Sequence, residues 1–195
     1  LLMHRTVLRL NRVDNTTGIG YGGGLYNGGT SLVQNCLIVT NGGTGKYGDG
    51  IHSAGAIAIL NSTIADNRLE GVRFGSGTLS MTNTILWGHA DDLVNLPNDG
   101  QPIPTVSNVF YCTIKDGDNN GIQGCINLDP LWVDRTYYHL QSTTGYYANA
   151  YFVGGTWAVA LSNSPAIDTG DPANDYGNEP SPNGGRINQG AYGNT

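Results

Sequence analysis

Apolar residues in this chain recur in short alternating runs rather than at helical spacing. Four segments superimpose: SLVQNCLIVTN (31–41), IAILNSTIADN (57–67), LSMTNTILWGH (79–89) and SNVFYCTIKDG (107–117). Aligned on Asn35, Asn61, Asn83 and Tyr111, they carry Val33, Ile59, Met81 and Val109 two residues earlier. One residue later stand the small Cys36, Ser62, Thr84 and Cys112, and three later Ile38, Ile64, Leu86 and Ile114. A weaker copy around Leu10 puts Leu8 and Val13 at the same offsets, and successive anchors lie 25, 26, 22 and 28 residues apart. Period-two alternation rich in Ile, Val and Thr, bounded by Gly and Asn, predicts strands. A repeat of this length predicts stacked units, each burying its apolar face on the next.

A second apolar column, Gly24-Leu25, Gly50-Ile51 and Gly71-Val72, follows the first three anchors. Each repeat therefore reads as two short strands joined by Gly-rich turns, and the helical or leucine-consensus stretches of other repeat classes are missing. The fold class is all-β: a right-handed parallel β-helix with an irregular C-terminal cap. Residues 5–117 are expected to form about five coils, with Ile38, Ile64, Leu86 and Ile114 in one interior column. The anchor Asn suits a bend, because Asn tolerates left-handed backbone angles and its amide can bond the backbone or the Asn one coil away. The boundaries are 1–127 for the coils and 128–195 for a capping module continuous with them.

Composition fits a solenoid, which needs many corners and a polar but weakly charged surface. The chain has 30 Gly in 195 residues, about twice the usual share, and 12% charged residues, about half the usual share. A net charge of −6 and the lack of any Lys/Arg cluster argue against a nucleic-acid partner. No apolar run is long enough to cross a bilayer. The chain opens LLMHRTVLRL, without an initiator Met or a signal peptide, and is read as a piece of a longer protein. An N-terminal coil left open would continue into more chain or pair with another molecule. Of the three cysteines, Cys36 and Cys112 share a column but lie too far apart to bridge, at about 14 Å over three coils. Cys112 and Cys125 are the one plausible bridge, the other reading being buried free thiols.

The last third departs from the repeat, and here a resemblance is specific. Its motifs are Asp129-Pro130-Leu131-Trp132, Tyr138-His139-Leu140-Gln141, Ser164-Pro165-Ala166-Ile167-Asp168 and Gly184-Gly185-Arg186-Ile187-Asn188-Gln189-Gly190-Ala191-Tyr192. The repeats resemble bacterial right-handed parallel β-helix proteins of the pectate-lyase-like superfamily. The closing motifs resemble the final module of large secreted and surface-anchored members, among them polymorphic outer-membrane and adhesin-like proteins. The resemblance covers nearly the whole chain and implies architecture more than chemistry. The role expected of the module is to cover the last coil, with Trp132, Trp157 and Tyr192 read as its core in preference to sugar platforms.

Three constellations bear on chemistry. Asp116, Asp118 and Asn120, followed by Gly121, have the D-x-D-x-N-G spacing of a calcium loop, but Asn127 stands where the bidentate acid belongs. A solvated acidic turn is the competing reading. Asp168, Asp171, Asp175 and Glu179 form a second acidic loop, in which Asp168 and Arg186 are a candidate pair. His89, Asp91 and Asp92 resemble the paired acids and histidine of glycoside hydrolysis, yet they lie on one turn, whereas enzymes of this fold draw residues from neighbouring coils. An enzyme needs ionisable residues stacked at one offset in consecutive coils, and the aligned columns hold Asn, Ser, Thr and Ile instead. The expectation is a non-catalytic extracellular or cell-surface segment for attachment, display or assembly, binding polysaccharide or a cell-surface component. No cofactor is implied other than calcium, and a polysaccharide-degrading lyase or hydrolase is the alternative.

Overall fold

The computed structural model describes residues 1–14, 20–44, 47–95 and 108–195. It is a parallel β-solenoid of about four turns, with no helix among the described residues. The first sheet stacks β1 (Leu2–His4), β5 (Thr30–Gln34), β9 (Ala56–Leu60), β12 (Leu79–Thr82) and β15 (Asn108–Phe110). The second stacks β2 (Val7–Arg9), β6 (Leu37–Val39), β10 (Thr63–Ala65), β13 (Ile85–Trp87) and β16 (Thr113–Ile114). The third holds β4 (Leu25–Asn27), β8 (Ile51–Ser53), β11 (Glu70–Phe74) and β14 (Asp91–Asn95). A short pair, β3 (Arg12–Val13) and β7 (Gly42–Gly43), extends the first two turns. Of the four aligned segments only Ser107 lies outside the described residues.

The corner between the first and second sheets is two residues long, the first of them left-handed. Asn35, Asn61, Asn83 and Tyr111 occupy that first position with φ of 50°, 42°, 51° and 50°. One left-handed residue turns the chain sharply between two short strands, and Asn adopts that angle at low cost. The amides also bind: Asn83 Nδ2 donates to Asn61 Oδ1 at 3.0 Å. In the first turn the corner residue is Arg5, with φ 47°, because Leu8 pairs with Ile38 and Met3 with Val33. The weaker copy is therefore centred on Arg5 and not on Leu10. Alternation on both sides of a three-residue strand looks alike in sequence, and Leu10 sits just past the far end of β2, mostly exposed.

Leu8, Ile38, Ile64, Leu86 and Ile114 stack in register inside the solenoid, the last four with no exposed surface. Burying each such side chain contributes about 2 kcal/mol. The interior is completed by Val33, Ile59, Met81 and Val109 from the first sheet, and by Ile51 and Val72 from the third. Gly50 is needed where coils touch: a Cβ there would lie 2.3 Å from the Gly71 carbonyl oxygen. Cys36, Cys112 and Cys125 are all buried free thiols, so the Cys112–Cys125 bridge is not formed. The Cys112 amide instead donates to Cys125 Sγ at 3.5 Å, and burial pushes the Cys112 thiol well up.

The C-terminal module is irregular apart from one antiparallel hairpin, β17 (Tyr146–Ala148) and β18 (Thr156–Ala158). Its contacts run back along the flank of the solenoid. Gln189 accepts from Thr113 Oγ1 at 2.6 Å, and Gly190 N donates to the Asn83 carbonyl at 2.7 Å. Ala191 N donates to Thr63 Oγ1 at 3.1 Å, and Asn35 Nδ2 donates to the carbonyls of Ala191 and Gly193. The closing residues thus cross from the last turn to the second, opposite to the direction in which the coils were laid down. Tyr138, Ala191 and Tyr192 cover the outer face of the second sheet over Leu37, Val39 and Ala65. Asp66 ties the layers together, accepting from Arg135 Nη1 at 2.6 Å and Tyr138 Oη at 2.7 Å. Arg186 donates to the carbonyls of Thr169 and Gly170, and it forms no ion pair with Asp168.

Candidate functional site on the third sheet

Alternation along each strand of the third sheet sends Leu25, Ile51 and Val72 inward and the next residue outward. Those next residues, Tyr26, His52 and Arg73, pair across β4, β8 and β11. Tyr21 and Tyr47 lie beside this row. The His52 ring stacks against Tyr26 at 5.6 Å and 11° and packs on Tyr21 at 4.6 Å. Tyr21 stacks in turn on Tyr47 at 5.9 Å, and the Arg73 guanidinium lies 4.0 Å over the Tyr47 ring. Tyr26 is 54% exposed and Tyr21 40%, while His52 beneath them is buried.

Charge on this face is held within it. Arg73 Nε donates to Glu70 Oε2 at 2.8 Å, and the same oxygen accepts from Gly48 N at 2.6 Å. Burial, with Arg73 adding to it, lowers the His52 pKa to about 4, so its imidazole is neutral at pH 7. Its Nδ1 has no hydrogen-bond partner among the described residues. In register with Glu70 stands Asp91 on β14, exposed at the edge of the row. Partial burial, then the nearby Asp116, Glu70 and Asp92, push the Asp91 carboxyl upward.

The sequence candidates His89, Asp91 and Asp92 fall at this corner but separate there. His89 and Asp92 have side-chain exposures of 0% and 1% and bond to each other, Nδ1 to Oδ1, at 2.6 Å. They belong to a polar ladder that runs between coils. Asn11 Nδ2 donates to Asn41 Oδ1 at 3.0 Å, and Asn41 Nδ2 to Asn67 Oδ1 at 3.0 Å. Asn67 Nδ2 lies 3.1 Å from His89 Nε2. Because Asn67 Oδ1 already accepts from Asn41, its Nδ2 must face His89, so Nε2 is the acceptor and Nδ1 carries the proton given to Asp92. Both ring nitrogens are occupied, Nε2 by the neighbouring coil and Nδ1 within its own turn. Asp91 alone of the three faces outward. Asn67, one coil back, is the residue that fixes the His89 ring.

Asp116 continues the ladder: Oδ2 accepts from Asp92 N at 2.8 Å, while Asp92 Oδ2 accepts from Asp116 N at 3.2 Å. Its other oxygen accepts from Asp118 N at 3.3 Å. Asp118 and Asn120 are exposed, and burial followed by Asp116 and Asp91 raises the Asp118 carboxyl. Among the described residues no three His, Cys, Asp or Glu side chains converge on a point where an ion would sit. The Asp116 oxygens are engaged with backbone N–H groups, as in a polar turn.

Ionisable residues do stack in consecutive coils, on the third sheet rather than in the aligned columns. The signal was present: Tyr26, His52 and Arg73 each follow the second apolar column by one residue. Uneven turn lengths between the sheets hid the shared offset. The chain matches no protein-family model, no curated protein and no solved structure.

Proposed function

We propose that this solenoid is a non-catalytic extracellular segment that attaches to polysaccharide or a glycan-bearing cell surface through the aromatic face of its third sheet. The observation that carries this reading is the row Tyr26–His52–Arg73 with Tyr21 and Tyr47 beside it. Exposed phenol rings offer flat apolar faces and hydroxyls to a sugar chain. The charged groups beneath them, Arg73 and Glu70, are spent on each other, and His52 is neutral at pH 7, which suits holding a ligand rather than transforming it. The likeness of the repeats and closing motifs to bacterial surface proteins of the pectate-lyase-like superfamily supports the extracellular placement and the attachment role. Retention of purified protein on insoluble polysaccharides and on glycan-coated beads tests it. Tyr21→Ala combined with Tyr26→Ala should abolish retention without lowering the melting temperature by more than a few degrees. Retention unaffected by the double substitution would sink the reading.

One observation favours a second reading, glycan cleavage. Glu70 and Asp91 stand in register on adjacent strands, and Asp91 holds its proton more firmly than an ordinary carboxyl. Two carboxyls across a glycosidic bond can serve as acid and base. Reducing-end and ultraviolet product assays on neutral and acidic polymers decide between the readings. Turnover that disappears in Asp91→Asn would replace attachment with catalysis.

A further inference from the structure

A concave surface lies in the C-terminal module, away from the third sheet. It is a cleft of about 540 Å³ between the β17–β18 hairpin and the closing segment that carries Glu179 and Tyr192. That volume lies within the range of small-ligand sites. The floor is fixed: His139 stacks on Tyr192 at 4.0 Å and bonds the Ala150 carbonyl at 2.7 Å, and the Tyr192 hydroxyl donates to the Tyr137 carbonyl at 2.5 Å. The rim carries Tyr147 and Trp157, 48% and 43% exposed, in an edge-to-face pair at 5.1 Å. The sequence places Trp157 in the module's core with Trp132 and Tyr192, and the structure corrects this. Trp132 packs on the buried Tyr138 and Tyr192 lies within the floor, but Trp157 stands at the surface. Its ring rests on Gly145, where a Cβ would come within 2.1 Å of it, so the glycine seats the indole in place.

The polar groups of the cleft divide into used and unused. Glu179 is used: it accepts from Asn188 N, Asn188 Nδ2 and Asn194 N. Asp168 is not. Its backbone is held left-handed, φ 54°, with its N–H donated to Asn188 Oδ1 at 2.7 Å, yet no described residue donates a hydrogen bond to its half-buried carboxylate. Asp tolerates that angle at low cost, so the carboxylate is held in place with its hydrogen-bonding capacity open. Asn163 and Asn183 have their amide oxygens engaged, by Thr143 and by Gly185, which leaves their N–H donors free among the described residues. The Trp157 indole N–H is free in the same sense. No Lys or Arg lines the cleft among the described residues.

We propose that this cleft binds a neutral saccharide, with Trp157 stacking on a sugar ring and the Asp168 carboxylate accepting its hydroxyls. The chemistry selects this class. An acidic sugar or a phosphate would meet two carboxylates in the lining and no cation in contact with it. An organic cation would answer Asp168 but leave the N–H donors of Asn163, Asn183 and Trp157 without acceptors. A neutral sugar brings donors, acceptors and an apolar ring face together. The site is distinct from the third-sheet face and stands or falls separately from it.

Titration calorimetry of the full chain with soluble gluco-, manno-, galacto-, xylo- and N-acetylglucosamine oligosaccharides tests the proposal, with oligogalacturonate and choline as contrasts. At least one neutral series should bind, and Trp157→Ala and Asp168→Asn should each weaken it tenfold or more. Trp157→Phe should restore part of the affinity, and Tyr26→Ala should leave it unchanged. Trp157 is surface-exposed, so its variants should fold, which melting curves verify. Binding to none of the neutral series, preference for oligogalacturonate or choline, or affinity indifferent to both Trp157→Ala and Asp168→Asn overturns the proposal. Loss of matrix retention in the Tyr21/Tyr26 double variant with intact oligosaccharide binding separates the two sites.

Discussion

Replacing Asn67 with Leu, a side chain of similar shape, removes the centre of the buried ladder and little else. Asn67 is 1% exposed. Its Oδ1 accepts from Asn41 N at 2.9 Å and Asn41 Nδ2 at 3.0 Å, and its Nδ2 donates to the Ile38 carbonyl at 2.9 Å and faces His89 Nε2. Leucine satisfies none of these. Asn41 Nδ2 keeps its bond to the Leu8 carbonyl, and the Ile38 carbonyl keeps its place in the β6–β10 ladder, so the groups left without their partner are Asn41 N and His89 Nε2. Each buried polar group left unpaired costs about 1–3 kcal/mol, which for two groups gives a loss of roughly 2–6 kcal/mol, offset in part by the added apolar burial. A domain of ordinary stability, about 5–15 kcal/mol, would be left marginal. Urea unfolding followed by tryptophan fluorescence and circular dichroism measures the loss, and an unchanged slope confirms that the same surface is exposed. Long-range nitrogen–proton spectra of the wild type should place the His89 proton on Nδ1. A loss below about 1 kcal/mol, or a proton found on Nε2, refutes the argument that the ladder is a continuous buried hydrogen-bond chain.

Two further outcomes follow from burial and charge. Thiol reagent should label none of the three cysteines in the folded protein and all three after unfolding, with intact mass unchanged by reductant; a mass gain of two protons on reduction would mean that Cys112 and Cys125 are bridged. His52 and Glu179 should bend the stability profile in opposite senses. The His52 pKa falls to about 4, below its unfolded value of about 6.5, so its contribution is complete above pH 6.5 and is lost as pH falls toward 4. Burial raises the Glu179 pKa to about 7, so its contribution is complete below about pH 4.5 and is lost as pH rises through 7. Melting temperature against pH should flatten on the acid side in His52→Gln and between pH 4.5 and 7 in Glu179→Gln. Parallel curves for wild type and both variants would contradict these assignments.

The sequence by itself determined the solenoid. Its interior columns and its left-handed corners follow from rules that act over five or six neighbouring residues: side chains alternate along a strand, and Asn accepts the left-handed angle that turns one strand into the next. Such signals repeat in every coil, so they reinforce one another, and they fail only where a copy is degenerate, as at Arg5 and Leu10. Tertiary structure decided what lies outside the coils. Whether Trp157 is core or rim depends on how the closing segment lies against the second sheet, through bonds such as Asn35 to Ala191 that join residues 156 positions apart. Likewise, His89 and Asp92 look like acid–base chemistry on one turn, and only stacking on Asn67 and Asp116 shows them bonded inside the wall. The third-sheet row lies between these cases: its residues follow a legible apolar column, but turns of unequal length conceal the alignment until hydrogen bonding between coils sets the register. Local chemistry fixes which residues face inward; what covers the outward faces, and so which polar groups stay free, is fixed only when distant segments pack.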